Sequence, residues 1–533
     1  MGYFWKIDIY CNQLEAVVPE NKKVFVRDAT GLTKSVSIFD AISLNVSDMS
    51  VGAALASIGI TMVALPSVSG VNLVYASLLA FVFVIPQIVI YSIMSTRISK
   101  TGGDYIWITR SLNAPFGAAL SFAGFTANDL AYLALISLLS VFAIGSVGVF
   151  LGNTNMLGLA LPGNIKGSTP GLQFVVAAIV FGAIVAINIL RPKVAFRLVS
   201  ALMVIGVITT VVAIFTLLSA GRSGVVGYMD YLNSTLGAPA TYDSVASSYS
   251  GTTFDFSATL SIIPFFAIFV YPFMNAAPAV GSELRNKNSL RWAIPISVLI
   301  VMLLVTAAFA TMYYVGGFAF INGALSNPTL VYSYSFNFWT LAMGVTSNVA
   351  LQLLIGIGWI LWMIAILGFG IIFFARYLFA QAFDRFLPSS FAYVSPKYSS
   401  PVVAHLIDLV ITVGLIAATS FFYGTFSALF GIIVASMIYF AFIGITAIIY
   451  GLKKEKGSTK GTLIVAGILS AGVFSYITYQ FLAAPTIWGG TNLAYGYIIA
   501  TFIFGLVAYY VSKAYYSSKG VNITLAFKEI PPD

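Results

Sequence analysis

Twelve stretches of apolar sequence, each long enough to cross a lipid bilayer, constrain this chain more than any motif in it. They fall at roughly 38–66, 72–96, 116–150, 171–190, 194–219, 256–281, 292–314, 346–375, 401–421, 425–450, 461–482 and 493–512, where a helix needs about 20 residues to span the hydrocarbon. Inside lipid a backbone must satisfy its own hydrogen bonds, which leaves helices or closed barrels. Runs of this length and continuity predict helices. The expected fold class is an all-α integral membrane protein of twelve transmembrane helices. Composition agrees: 8% charged residues is far below the roughly 25% of soluble proteins.

The basic residues give the topology. If the spans alternate in direction, 24 of the 26 Lys and Arg fall on the side of the N-terminus, and only Lys166 and Arg222 fall on the other. Such a bias marks the cytoplasmic face, so both termini are expected in the cytoplasm of a multi-pass plasma membrane protein. The net charge of +9 is thereby a topology signal, and no nucleic-acid partner is expected. The domain reading is a cytoplasmic tail over 1–37, a twelve-helix membrane domain over 38–512 and a second cytoplasmic tail over 513–533. Residues 1–37 show neither a cleavable signal peptide nor a lipidation signal. A single cysteine, Cys11, excludes an internal disulfide, and a single histidine, His405, argues against a His-rich metal site. No metal or cofactor is expected. Residues 220–255, rich in Ser, Tyr and Gly, form an outer connector with a possible glycosylation acceptor at Asn233.

One interruption in the first span stands out. Ser57-Ile58-Gly59-Ile60-Thr61, ending at Pro66, places glycine and hydroxyl residues deep in an apolar run, where a helix break is tolerated only beside protein or a water-filled cavity. Span 6 carries Pro264, Pro272 and Pro278, each removing a backbone donor. Spans 3 and 8 are both long and uninterrupted, and the long connectors before them (97–115 and 315–345) fall on opposite sides. Spans 1–5 thus match spans 6–10 as an inverted repeat: 38–219 against 256–450, with extra helices over 461–512. Paired broken segments in two halves are the sequence signature of a secondary transporter's binding site.

Three patches then resemble the amino acid-polyamine-organocation superfamily, amino acid permeases in particular. Gly59-Ile60-Thr61-Met62-Val63-Ala64-Leu65-Pro66 resembles the broken first helix, although Thr61 stands where a second glycine is usual. Thr101-Gly102-Gly103-Asp104-Tyr105, with Arg110 and Pro115-Phe116-Gly117, resembles the loop after span 2. Ala375-Arg376-Tyr377 through Asp384-Arg385-Phe386-Leu387-Pro388 resembles the stretch after span 8, and Glu283 with Asn286 and Pro295 matches weakly the loop after span 6. The resemblance implies a five-plus-five, LeuT-like inverted repeat with discontinuous helices 1 and 6, alternating access, and an amino acid or related amine as cargo. It also implies substrate contacts at the break of Gly59: amides of Ile60 and Thr61 for a carboxylate, Ser57 for the amine, and Phe269 or Tyr271 as a lid.

Buried acids complete the candidates. Asp129, near the middle of span 3, could take up a proton during transport or pair with a substrate amine, since intramembrane ionisable residues are functional by default. Asp48, ahead of the break, is a candidate cytoplasmic gate. His405 and Asp408 share a helix face in span 9 and read as a structural pair near the interface. From Val349 to Leu387 there is no Ser or Thr, so a sodium site with hydroxyl ligands on span 8 is not expected. The expected function is secondary active transport, with a proton as co-substrate. Exchange without ion coupling, a channel or a receptor are the alternatives. No phosphate loop, zinc motif or nucleophile elbow suggests an enzyme.

Overall fold

The computed structural model describes residues 34–528; Cys11 and most of the N-terminal tail lie outside the described residues. Among the described residues, eleven helices are long and apolar enough to cross a membrane: Ile38–Ala64, Leu73–Arg97, Ala114–Phe150, Pro170–Leu190, Pro192–Leu236, Lys287–Gly316, Val349–Phe383, Val402–Phe421, Gly424–Lys454, Gly457–Ala483 and Asn492–Ser518. They match eleven of the twelve predicted spans, and the predicted numbering is kept. Span 6 is the exception. It holds a shorter apolar helix, Phe256–Phe269, then a non-helical stretch, then the single turn Ala276–Ala279. Among the described residues, β-pairing is confined to isolated bridges.

Local chemistry sets where these helices begin. Ser37 and Asp40 form a reciprocal capping box at the start of span 1, satisfying amides that otherwise lack partners. Asn72 accepts from the Val74 and Tyr75 amides to open span 2, and Asn348 does the same for span 8 through Ala350 and Leu351. Three spans run well past their expected ends, span 8 among them, continuing to Phe383 instead of 375. Span 5 continues to Leu236, bent where Gly221 adopts φ 57° and ψ −159°. Span 12 continues to Ser518, past the predicted limit of 512, its last turn largely exposed.

Burial sorts the spans into an inner and an outer set. The most apolar windows of spans 1 and 3 are 83% buried, of span 8 78% and of span 10 72%, whereas span 12 is only 17% buried. A helix that is apolar all round belongs in the interior, and span 8 is nearly continuous core from Ile355 to Ala382. Close approach needs glycine at one contact above all. A Cβ on Gly52 of span 1 would lie 2.5 Å from Trp362 Cβ of span 8, and one on Gly206 of span 5 would lie 2.5 Å from the same indole ring. Trp362 is held between these glycines by an Nε1–H bond of 3.0 Å to Thr210 Oγ1.

Candidate solute site

Span 1 breaks, but not at Gly59. Residues 57–61 lie inside the continuous helix Val51–Ala64, so the amides of Ile60 and Thr61 are spent on intrahelical bonds. The discontinuity falls earlier, at Met49–Ser50. There Ser50 adopts the left-handed φ 38°, ψ 45° and separates Ile38–Asp48 from Val51–Ala64. The physical reason is the polar run Asn45-Val46-Ser47-Asp48-Met49-Ser50. Ser, Asp and Asn side chains compete with the backbone for hydrogen bonds, whereas one glycine between isoleucines does not. Ser50 Oγ donates to the Asp48 carbonyl at 2.8 Å and accepts from Tyr132 of span 3 at 2.5 Å, which fixes a conformation uncommon outside glycine.

Span 6 breaks opposite this point. Val270 takes φ −122°, ψ −103° after the helix Ile263–Phe269. Pro272 cannot donate, and its carbonyl accepts from Gln87 of span 2 at 3.0 Å. The two breaks touch: the Ala277 amide donates to Asn45 Oδ1 at 2.8 Å. Phe273 stacks on Tyr132, with centroids 6.3 Å apart and planes 14° apart. Asn275 donates to the Tyr377 hydroxyl of span 8 at 3.4 Å.

Polar atoms in this region outnumber their partners. Asn45 Nδ2, Ser47 Oγ, Asp48 Oδ2, Asp129 Oδ2 and Asn275 Oδ1 are buried without a hydrogen bond, and each such group costs about 1–3 kcal/mol, more when charged. Helix geometry adds three more donors, because the first-turn amides Val51, Gly52 and Ala53 have no intrahelical acceptor. Asp129 follows a π-helical turn, Phe122–Thr126, a distortion found mostly at functional sites. Ser436 of span 10 holds that turn by donating to the Gly124 carbonyl at 2.6 Å. Asp129 faces Gly370 of span 8, where a Cβ would lie 3.6 Å from its Oδ1. It interacts electrostatically with Asp48 of span 1 and Asp408 of span 9.

The other predicted residues are distributed as follows. Phe269 is fully buried and meets Phe430 edge-on at 5.9 Å. Phe430 in turn contacts Phe426, which lines a cavity of about 50 Å³ together with Ile60, Asn337 and Trp359. Ile60 therefore faces a small cavity beyond the aromatic stack, away from the breaks. Tyr271 points elsewhere, sharing hydrogen bonds of 2.5 Å with Ser77 and, through it, 2.8 Å with Thr306. Ser57 and Thr61 are buried along the upper helix, Ser57 Oγ without a partner. Asp48 sits at the break itself, not ahead of it as expected. His405 and Asp408, in the first turns of span 9, are both fully buried in the protein, and Asp408 accepts from Thr412 at 2.9 Å while His405 has no hydrogen-bond partner among the described residues. Their helix turns that face inward because it packs on spans 3 and 4.

The motif residues assemble at one end of the bundle. Gly102 donates to the Ala279 carbonyl at 2.8 Å, and Gly103, at φ 47°, packs so tightly on Pro278 that a Cβ would lie 2.8 Å away. Arg376 forks onto Glu283 with bonds of 2.9 and 3.0 Å, both side chains nearly inaccessible. Arg110 pairs with Asp384 in the same way, and Tyr105 donates to Asp384 at 3.0 Å. Asp104, in the connector between spans 2 and 3, receives the hydroxyls of Tyr91 and Tyr377. Burial pushes its carboxyl up to about 7, against the opposing pull of the Tyr91 bond. Tyr377 thus joins Asp104 to Asn275 at the span 6 break.

Sequence reading missed Ser50, Tyr132 and Asn275. Four polar residues within positions 45–50 of an otherwise apolar span were the available signal for the first. Comparison with curated proteins gives no match. The family model described as amino acid permease matches residues 36–505. It covers both breaks, the buried acids and every motif residue above. With most of its length accounted for in this way, the chain belongs to the amino acid permease family, multi-pass membrane transporters of amino acids.

Proposed function

We propose that this permease carries an amino acid or related amine by alternating access, and that the solute sits between the breaks at Met49–Ser50 and Val270–Asn275. The single observation carrying this reading is the pair of facing discontinuities, surrounded by buried polar atoms with no partner in the protein. A zwitterion complements them. Its carboxylate suits the first-turn amides of Val51, Gly52 and Ala53, where the helix dipole is positive. Its ammonium group suits Asp48, Asn275 Oδ1 and the carbonyls ending Ile38–Asp48. These residues replace Ser57, Gly59, Ile60 and Thr61 as the proposed contacts. Phe269, backed by Phe430 and Phe426, is the proposed outer lid, and Tyr132 with Phe273 forms a side wall.

The rest of the reading follows the twelve-span topology: a five-plus-five inverted repeat, two additional helices, both termini in the cytoplasm and residence in the plasma membrane. The interlocked residues Gly102, Gly103, Glu283 and Arg376 serve as the closed inner gate. Asp129 is the proposed proton carrier, because it lies beside a second acid, Asp48, that the substrate amine would neutralise. Proteoliposomes loaded with and without a proton gradient test this. Saturable uptake of labelled amino acid, accelerated by an inward gradient, is the expected outcome, with Asp129→Asn losing the gradient dependence and Asp48→Asn losing uptake at least tenfold. Asp129→Asn uptake equal to wild type at every pH removes Asp129 from the mechanism, wild-type uptake indifferent to the gradient assigns the protein to uncoupled exchange, and currents far above carrier turnover assign it to a channel.

A further inference from the structure

A groove of about 560 Å³ opens where spans 2, 7 and 11 end, remote from the proposed solute site. Arg97, Arg291, Trp292, Thr96, Thr459 and Thr462 shape it. Arg97 is already paired with Glu455 at 2.9 Å, but Arg291 has no carboxylate partner among the described residues and lies over the Trp292 ring at 5.8 Å. The groove therefore holds an uncompensated positive charge. Hydroxyl donors surround it, and Lys456 supplies no side-chain cap to the helix Gly457–Ala483, so that helix's first-turn amides add further donors on one wall. The chemistry is that of a phosphate site.

Its position selects the source of the phosphate. Trp292 is 62% exposed, as tryptophans are at the boundary between headgroups and hydrocarbon. Continuing into the membrane from the groove, span 7 exposes Ile296, Leu299 and Leu303, and span 11 exposes Val465 and Ile468. A charged, hydroxyl-lined recess thus sits directly above an apolar track on the same helices, which matches a molecule with a phosphate head and acyl chains. We propose that this groove binds the headgroup of an anionic phospholipid, held chiefly by Arg291 and Arg97, with its chains along spans 7 and 11. Basic recesses between transmembrane helices are suited to such headgroups.

The test uses the full-length protein in bilayer discs of phosphatidylcholine, with and without phosphatidylglycerol, reading thermal unfolding and the lipid retained on native mass spectrometry. Phosphatidylglycerol is expected to raise the unfolding temperature and to remain bound. Arg291→Gln should reduce that retention by about fivefold, the effect of one basic residue near an anionic surface, and Arg291→Lys should restore most of it. Arg97→Gln tests the second charge, and Lys513→Gln, outside the groove, should change nothing. Arg291 is exposed, so an unchanged size-exclusion profile is expected for its variants. Equal retention by wild type and Arg291→Gln, or no effect of phosphatidylglycerol on wild type, overturns the proposal. Equal protection by inorganic phosphate in phosphatidylcholine discs overturns the lipid assignment in favour of a soluble anion.

Discussion

At the scale of single residues, the acids of this chain divide by their partners. Glu283 and Asp384 are saturated by arginine, Asp104 by phenol hydroxyls, while Asp48 and Asp129 each keep a buried oxygen unsatisfied. In the proposed reading the first group closes the inner gate and the second serves solute and proton, so substitutions should separate them. For Asp104 the sign follows from its value of about 7 in the folded chain, above the roughly 3.9 of an unfolded aspartate. The folded state binds this proton more tightly, so its stabilising contribution is complete below about pH 4 and declines as pH rises through 7. Asp104→Asn is accordingly expected to flatten the fall of unfolding temperature between pH 5 and 8, measured by scanning fluorimetry in detergent; an unchanged slope would assign that fall to another group. Among the candidates named from sequence, the burial of Asp129 could be read from its place in the middle of an apolar run, where an ionisable residue is rare. The break at Ser50 could not, since a serine in a membrane helix is ordinary until its φ is known.

Discontinuous helices are the elements that matter next, and what joins them is a small number of side-chain bonds. Asn45 caps the turn after the span 6 break through the Ala277 amide, so Asn45→Ala leaves that buried N–H unpaired. A loss of about 1–3 kcal/mol is expected, visible as a lower unfolding temperature; Asn45→Asp, which retains the acceptor, should recover part of it. Gly52 acts on the other side of the same element, where Trp362 fills the space a side chain would need. Gly52→Ala should cost about 1–3 kcal/mol through overpacking and reduce uptake with it, whereas Gly59→Ala, whose Cβ would meet a Val331 methyl at 2.9 Å rather than Trp362 Cβ at 2.5 Å, should be milder on both measures. That contrast distinguishes the observed break from the one expected at Gly59. The expectation weighed glycine too heavily: glycine weakens a helix by about 1 kcal/mol, but clustered Asn, Ser and Asp offer the backbone alternative bonds, and they prevailed.

For the whole molecule, the inner bundle of spans 1, 3, 8 and 10 with span 6 is closed at one end by contacts between residues distant in sequence. Breaking the Glu283–Arg376 fork tests how much that closure contributes. Arg376→Ala should destabilise by about 3–5 kcal/mol because Glu283 is left charged and buried, whereas Arg376→Met with Glu283→Gln should restore most of the stability, as read from unfolding of the purified variants. Uptake by the double variant is expected to fall even where stability returns, since the pair belongs to the proposed gate. The sequence alone determined that this chain lives in a membrane, the positions of nearly all its spans and its likeness to amino acid permeases, because a bilayer imposes length and apolarity on every crossing helix residue by residue. Only the tertiary structure decided where the first helix breaks, which acids keep an unpaired oxygen and how Gly102, Glu283 and Arg376 come together at one end of the bundle. Those outcomes depend on which side chain from another span reaches each freed backbone or carboxyl group, and hydropathy along a single strand of sequence carries no information about that.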